Sequence, residues 1–471
     1  LILCFGLYDA ENLALGLQTI NASVLSLFSS YYLWVGFGIA IIAIILIFLP
    51  FAKQRLGTQR AEYSYFSWIA LLYSTGMGSG LLLRAVQEPS YYLFNPPVKA
   101  VDNVQLSLQY TFFHWGLTPW CFYSLFGLII AYNYYIGGAK SFRSALNFSD
   151  KDGYFQKIVG LFIVLITIVG VVASLGLGAG QFIGGVSSYF GIAIGKDILW
   201  LTIFGVGLVA TLSALTGIHK VIKYLADFDI VISILLMLFV FTQLQISQLI
   251  SNSLPALKNY LVHFAEMSLS IGDFQLSAEF LSNWTVFYWA FWLAWVPFTG
   301  IFIARISKGR TIREFLVATI IVPTVATMVW FSVFGTKAFD IIQSKSISEN
   351  PFNSIFTSLF DFFEYLPFSE VTILLSSILI LTAIINSVDS AIFVVSIFSD
   401  KGIENPSKIH KVIWGIIITA TALGLASVGT DSLLNAVSSL LIIMALPFSL
   451  IYILYVILFI KNKVLKKENK C

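Results

Sequence analysis

The chain has 471 residues, of which 58% are apolar and 11% charged, against roughly 25% charged in soluble domains. Its 27 basic and 24 acidic residues leave 27 − 24 = +3, too small a surplus to suggest a nucleic-acid partner. These figures exclude a soluble globular protein and describe an integral membrane protein.

Apolar runs of about 20 residues, enough to cross roughly 30 Å of hydrocarbon, recur along the whole chain. The expected spans are 32–52, 66–90, 107–135, 157–187, 198–218, 222–250, 284–306, 315–338, 369–397, 411–429 and 433–460. Leu1–Tyr8 reads as the tail of an earlier span, which predicts twelve in the parent chain. The first connecting loop carries Lys53, Arg55 and Arg60. Alternate loops after it carry Lys140, Arg143 and Lys151; Lys220 and Lys223; Arg305, Lys308, Arg310 and Arg313; Lys401 and Lys408; and the tail from Lys461. The opposite loops hold only scattered lysines mixed with acids. The positive-inside rule then places both termini in the cytoplasm of a cell (inner) membrane, in agreement with an even span count.

Within span 66–90, Gly76, Gly78 and Gly80 alternate around Met77 and Ser79. Glycine at every second position does not follow the helical repeat, so it invites local unwinding. Unwound backbone is tolerated in a membrane where it lines a cavity or is buried in protein, and transporters use such breaks to bind ions. Simple packing is the other reading. Arg84 lies one turn outward of Gly80 and needs a partner or water. Glu88, four residues on, is placed for an intrahelical pair. The alternative puts Arg84 at the outer mouth of a path, attracting a solute carboxylate.

Span 107–135 carries Trp115, Trp120 and Tyr123 around His114 and Pro119, near mid-depth. Trp120 and Tyr123 can share a helix face. Asp227 and Asp229 are placed near the cytoplasmic end of span 222–250, as interfacial groups. Leu254–Leu281 has mixed polarity and reads as a helix on the outer surface. Span 284–306 begins TVFYWAFWLAWVPF, with Trp289, Trp292 and Trp295 at three-residue steps. Tryptophan usually marks the membrane interfaces, which suits Trp284 but not a mid-depth cluster. Several buried π faces suit a cation with no N–H to donate, at roughly 0.5–2 kcal/mol per ring.

Ile341–Phe368 is a second outer surface element. Span 369–397 holds Asn386, Ser387, Asp389 and Ser390. An ionisable residue inside the membrane is a functional candidate; pairing of Asp389 with a neighbouring hydroxyl is the structural alternative. Cys4, Cys121 and Cys471 offer neither metal spacing nor a disulfide framework. Nothing assembles a nucleophile, base or metal set, so the chain reads as no enzyme, with no cofactor.

GMGSGLLLRAVQEP (76–89), FHWGLTPWCFYSLFGLIIAY (113–132), ASLGLGAGQ (173–181), WTVFYWAFWLAWVPFTGIFIARISKGRTIREF (284–315) and NSVDS (386–390) together resemble the betaine/choline/carnitine transporter (BCCT) family. The resemblance runs from Tyr32 to about Phe459. It implies an all-α transporter with two inverted five-helix repeats, 66–250 and 284–460. Segment 1–65 lies outside the repeats, 251–283 is the outer surface helix between them, and 461–471 is a basic cytoplasmic tail. It implies a trimethylammonium site formed by Trp115, Trp120, Tyr123, Trp289, Phe291, Trp292 and Trp295, with Phe291 where the family usually shows tryptophan. It implies one sodium site near Ser74, Met77, Asn386 and Ser387, while a second site has lost its threonine to Val171, leaving Ser174 and Phe298. It also implies a homotrimer. The expected function is secondary transport of a quaternary ammonium or zwitterionic solute, sodium-coupled. A cation-independent exchanger is the alternative, and a channel a weaker one, because no ring of charges or carbonyls forms a filter.

Overall fold

The computed structural model describes residues 4, 6, 8–57, 60–76, 79–141, 144–146, 154–192, 195–216, 219–400 and 405–465, excepting the side chains at 73–76, 79, 155, 196, 219–226, 430 and 431. Helix α1 (Ala10–Phe48) starts at Asp9, whose carboxylate accepts the Asn12 N–H at 3.1 Å, and stops before Pro50, which has no N–H to continue it. The expected span 66–90 is described as α2 (Tyr65–Gly76) and α3 (Ser79–Arg84), on either side of residues 77–78, which lie outside the described set, and α4 (Gln87–Phe94), which follows a turn at Ala85–Val86. The next helix, α5 (Asn103–Trp115), is capped by Asp102 and gives way at Gly116 to α6 (Leu117–Tyr135). Four helices follow: α7 (Tyr154–Phe190), α8 (Lys196–Thr216), α9 (His219–Thr242) and α10 (Ile246–Val262). The short α11 (Phe264–Leu269) and a π turn, Leu281–Val286, precede α12 (Phe287–Ile306). The rest is α13 (Ile312–Ser344), α14 (Ser358–Glu364), α15 (Ser369–Ser399), α16 (Lys408–Ala426) and α17 (Thr430–Phe459).

The all-helical membrane architecture is as expected. Among the described residues nine helices are long and apolar enough to cross a membrane, ten if a bent pair is one span. The broken segment α2–α4 adds no single helix of that length. Leu1–Tyr8, needed for the twelfth, lies largely outside the described residues. The expected span 222–250 also ends early. The chain bends by 112° between α9 and α10 at the polar run Thr242–Gln245, and the next helix begins at Ile246.

The loop between α1 and α2 docks on the loop between α12 and α13. Leu56 donates its N–H to the Arg310 carbonyl at 2.8 Å, and Gly309 returns one to Leu56 at 2.8 Å. Gly309 sits at φ +80°, where an added Cβ would meet Ala61 N at 2.6 Å, so the turn of ISKGRT requires glycine. Thr311 and Glu314 form a capping box that starts α13. The Arg310 guanidinium lies 3.9 Å from the Tyr65 ring centre and 4.6 Å from Trp68, which holds α2 to the same loop.

Small residues let α12 reach the centre. A Cβ on Gly127 of α6 would meet Ile303 at 2.8 Å, one on Gly300 of α12 would meet Phe126 at 2.7 Å, and one on Gly170 of α7 would meet Ala294 at 3.1 Å. Such close backbone approach is how helices associate where lipid removes the hydrophobic drive. It brings the aromatic face of α12 against α5 and α6.

Candidate substrate site

Trp115 and Trp120 could not share a face of one straight helix, because five residues are about 140° of rotation. The break at Gly116 removes that obstacle. Its backbone (φ −94°, ψ −128°) leaves the helical region, and a Cβ there would overlap the Phe112 carbonyl at 2.3 Å. The freed groups find partners. The Trp115 carbonyl accepts from Trp120 Nε1 at 3.1 Å and from the Thr327 hydroxyl at 2.9 Å. The Leu117 N–H donates to the Tyr260 hydroxyl at 3.0 Å, which ties the kink to α10.

Trp292 closes the group. Its ring lies edge-to-face with Trp115 at 5.0 Å and with Tyr123 at 6.1 Å, and tilted at 6.4 Å from Trp120. Trp120 and Tyr123 meet at 5.5 Å. All four are nearly buried, and Trp292 Nε1 donates to the His114 carbonyl at 3.0 Å. Three π systems from α5–α6 and one from α12 therefore face one another, in the spacing favoured by aromatic pairs.

The other α12 candidates diverge. Steps of three residues drift about 60° each, so Trp289, Trp292 and Trp295 fan out to different neighbours. Trp289 packs on Phe113 at 5.2 Å and Phe122 at 6.2 Å, beside Gly36 of α1. Trp295 pairs with Phe298 at 5.5 Å. Phe291 touches Trp292 at 5.4 Å and lines a small cavity of ≈ 20 Å³ with Gly80, Leu83, Ser174, Leu177 and Gly178. Gly80 has the role its size allows: an added Cβ would lie 3.3 Å from the Trp115 ring.

Glu88 holds this assembly together. It is fully buried, and its carboxylate accepts from Trp115 Nε1 at 2.9 Å, from the Tyr92 hydroxyl at 3.1 Å and from the Tyr288 hydroxyl. His114 Nδ1 lies 3.3 Å from it, and His114 Nε2 lies 3.1 Å from the Thr285 hydroxyl. Charge-assisted bonds of this kind are stronger than neutral ones and fix the Trp115 indole. The expected Arg84–Glu88 pair does not form. Ala85 and Val86 form a turn between α3 and α4, so the i,i+4 geometry is lost. Arg84 instead donates to Gln87 Oε1 at 2.5 Å.

Of the ion candidates, Gly76 ends α2, while Met77, Gly78 and the Ser74 side chain lie outside the described residues. On α15, Ser387 donates to the Ala383 carbonyl at 2.8 Å, and the Asn386 side chain lies near Asp229. That Asp229 is buried corrects its interfacial placement. It accepts from the Thr382 hydroxyl at 2.5 Å, and α9 begins ten residues earlier at His219, about 15 Å along the axis. At the second position Val171 is buried hydrocarbon, with Ser174 one turn on. Asp389 takes the hydroxyl partner: Ser213 donates to it at 2.6 Å, and its other oxygen has no partner. Lys411, close to Asp389, donates to the Ala214 carbonyl at 3.0 Å. Among the described residues no group of three His, Cys, Asp or Glu side chains could hold a metal ion.

Comparison with known proteins gives this arrangement its place. Residues 1–469 match the profile of "BCCT, betaine/carnitine/choline family transporter". The chain belongs to the BCCT family of transporters. The glycine betaine transporter OpuD of Bacillus subtilis is 36% identical over 96% of this chain and 90% of its own length. The osmo-independent choline transporter BetT1 of Acinetobacter baylyi is 33% identical over 97% and 89%. The ectoine/hydroxyectoine transporter of Virgibacillus pantothenticus is 32% identical over 94% and 89%. A solved Na⁺-coupled sialic acid symporter shares the fold at 15% identity, with a TM-score of 0.50 over 91% of this chain and 86% of its own. This BCCT protein is thus a multi-pass membrane transporter rather than an enzyme.

Proposed function

We propose that this BCCT protein imports a quaternary ammonium or zwitterionic solute by alternating access, with the trimethylammonium group bound by Trp115, Trp120, Tyr123 and Trp292. The ring cluster carries the reading: four buried rings, three from α5–α6 and one from α12, meet, and a cation without N–H groups has few other directional partners than π systems. Phe291 borders the cluster, while Trp289 and Trp295 pack away from it against Phe113, Phe122 and Phe298. The solutes in the names of its relatives, glycine betaine, choline and ectoine, set the substrate class.

Sodium coupling is the first reading of the energetics. Oxygen ligands suit a hard alkali cation, and Asn386, Ser387, Ser74 and the Met77 carbonyl supply them. Asp229, close to Asn386, adds a carboxylate beside the site. Val171 offers no ligand, so one sodium is carried rather than two. The five-helix halves, 66–250 and 284–460, would rock against each other around these sites. Both termini are placed in the cytoplasm, and a homotrimer is the expected assembly. Counterflow of labelled glycine betaine in proteoliposomes, with and without sodium, tests this. Sodium-stimulated counterflow supports it, sodium-independent exchange selects the exchanger, and downhill flux without counterflow selects a channel.

A further inference from the structure

Arg84 is the least explained charge in the membrane interior. It is 5% exposed, and its guanidinium makes one described hydrogen bond, to Gln87 Oε1. Gln87 Nε2 is in turn held by the Asn353 carbonyl of the outer loop before α14, at 3.4 Å. The guanidinium stacks 4.7 Å from the Trp284 ring centre and 5.9 Å from Phe287. Among the described residues no carboxylate comes within 4.0 Å of it. Glu88, the obvious counter-ion, is taken by Trp115, Tyr92 and Tyr288. An arginine fork carries five N–H donors in a plane that matches a carboxylate, and a buried charge is costly unless paired.

The position makes the missing partner specific. Leu83, next to Arg84, and Gly80, one turn inward, line the small cavity with Phe291. Phe287 and Phe291 lie 6.1 Å apart along α12. From Arg84, a run of rings leads inward: Trp284 to Tyr288 at 6.4 Å and Tyr288 to Trp292 at 6.3 Å. A cationic side chain and π faces therefore sit together at the outer approach to the ring cluster, the two chemistries that the two ends of a zwitterion require.

We propose that Arg84, with Phe287 and Phe291, forms an outer recognition site for the carboxylate of a zwitterionic solute, and that it selects betaines over choline. The guanidinium attracts the carboxylate; Phe287 and Phe291 offer π faces to the ammonium end. Choline carries the same cation without the anion, so Arg84 repels it. The solute then passes inward to the Trp115–Trp292 cluster. This inference rests on the transport reading.

The test is equilibrium binding of glycine betaine and of choline to purified wild type, Arg84→Gln and Gln87→Glu. Arg84→Gln removes the charge. Gln87→Glu places a carboxylate against the guanidinium and occupies it from within, and it relieves a buried charge, so this variant folds even where the first does not. In both, betaine affinity falls roughly tenfold relative to choline, the scale of a hydrogen bond to a charged group. A betaine-to-choline ratio unchanged from wild type in the folded variants overturns the inference. If wild type binds neither solute, the transport reading itself fails, whereas wild-type binding with an unchanged ratio in the variants condemns the Arg84 assignment alone.

Discussion

Replacing Trp292 by leucine removes one π face from the ring cluster and keeps apolar bulk. Trp292 is the ring that meets all three partners from α5 and α6, at 5.0, 6.1 and 6.4 Å. A single cation–π contact is worth roughly 0.5–2 kcal/mol, which at about 1.4 kcal/mol per tenfold is a loss of roughly 2- to 30-fold in solute affinity. The substitution also strands the His114 carbonyl, which accepts the Trp292 N–H, so thermal stability falls as well. Trp292→Phe separates the two effects, since it loses the same N–H and keeps a ring. Solute binding by isothermal calorimetry should therefore rank wild type, then Phe, then Leu, while the two variants lose similar stability. Trp289→Leu, remote from the group against Phe113 and Phe122, should change affinity much less. Equal affinities of Trp292→Phe and Trp292→Leu would refute the π-face argument, and a larger loss at Trp289 would relocate the site.

Three further outcomes follow from the same geometry. Glu88→Gln keeps the shape but removes the charge that accepts from Trp115 and Tyr288, and should cost roughly 1.5–3 kcal/mol, read as a lower melting temperature together with weaker solute binding. Gly116→Ala drives a Cβ into the Phe112 carbonyl, an overpacking cost of roughly 1–3 kcal/mol or more; unchanged melting and binding would show that the kink does not depend on glycine. Uptake should rise hyperbolically with sodium, with a Hill coefficient near one, and Asn386→Ala should raise the half-saturating sodium concentration; a sigmoidal response would mean that the Val171 position still contributes an ion.

The membrane helices were legible because hydrocarbon demands long apolar runs, but the interruptions within them were harder to see. Met77 and Gly78 of the glycine alternation lie outside the described residues, and the turn at Ala85–Val86 carries no glycine or proline, yet it is this turn that separates Arg84 from Glu88. Gly116 stood two residues after His114 without a repeat to advertise it. The tryptophans of α12 drew attention to a helix that packs on α5 and α6 but not to which of them faces α6, because a three-residue step alone does not say which rotation meets a neighbour. Asp229 looked interfacial since lysines precede it; its burial depends on where α9 begins and on Thr382, 153 positions away, which no local pattern records.

The central claim is that the ring cluster recognises a positive charge. Glycine betaine and its carbon isostere, tert-butylacetate, share shape and carboxylate and differ only in the charge of the central atom. Their equilibrium affinities for the wild-type protein test the claim most directly. The account predicts that betaine binds roughly tenfold tighter or better, by the sum of several cation–π contacts. Equal affinity for the two would contradict it.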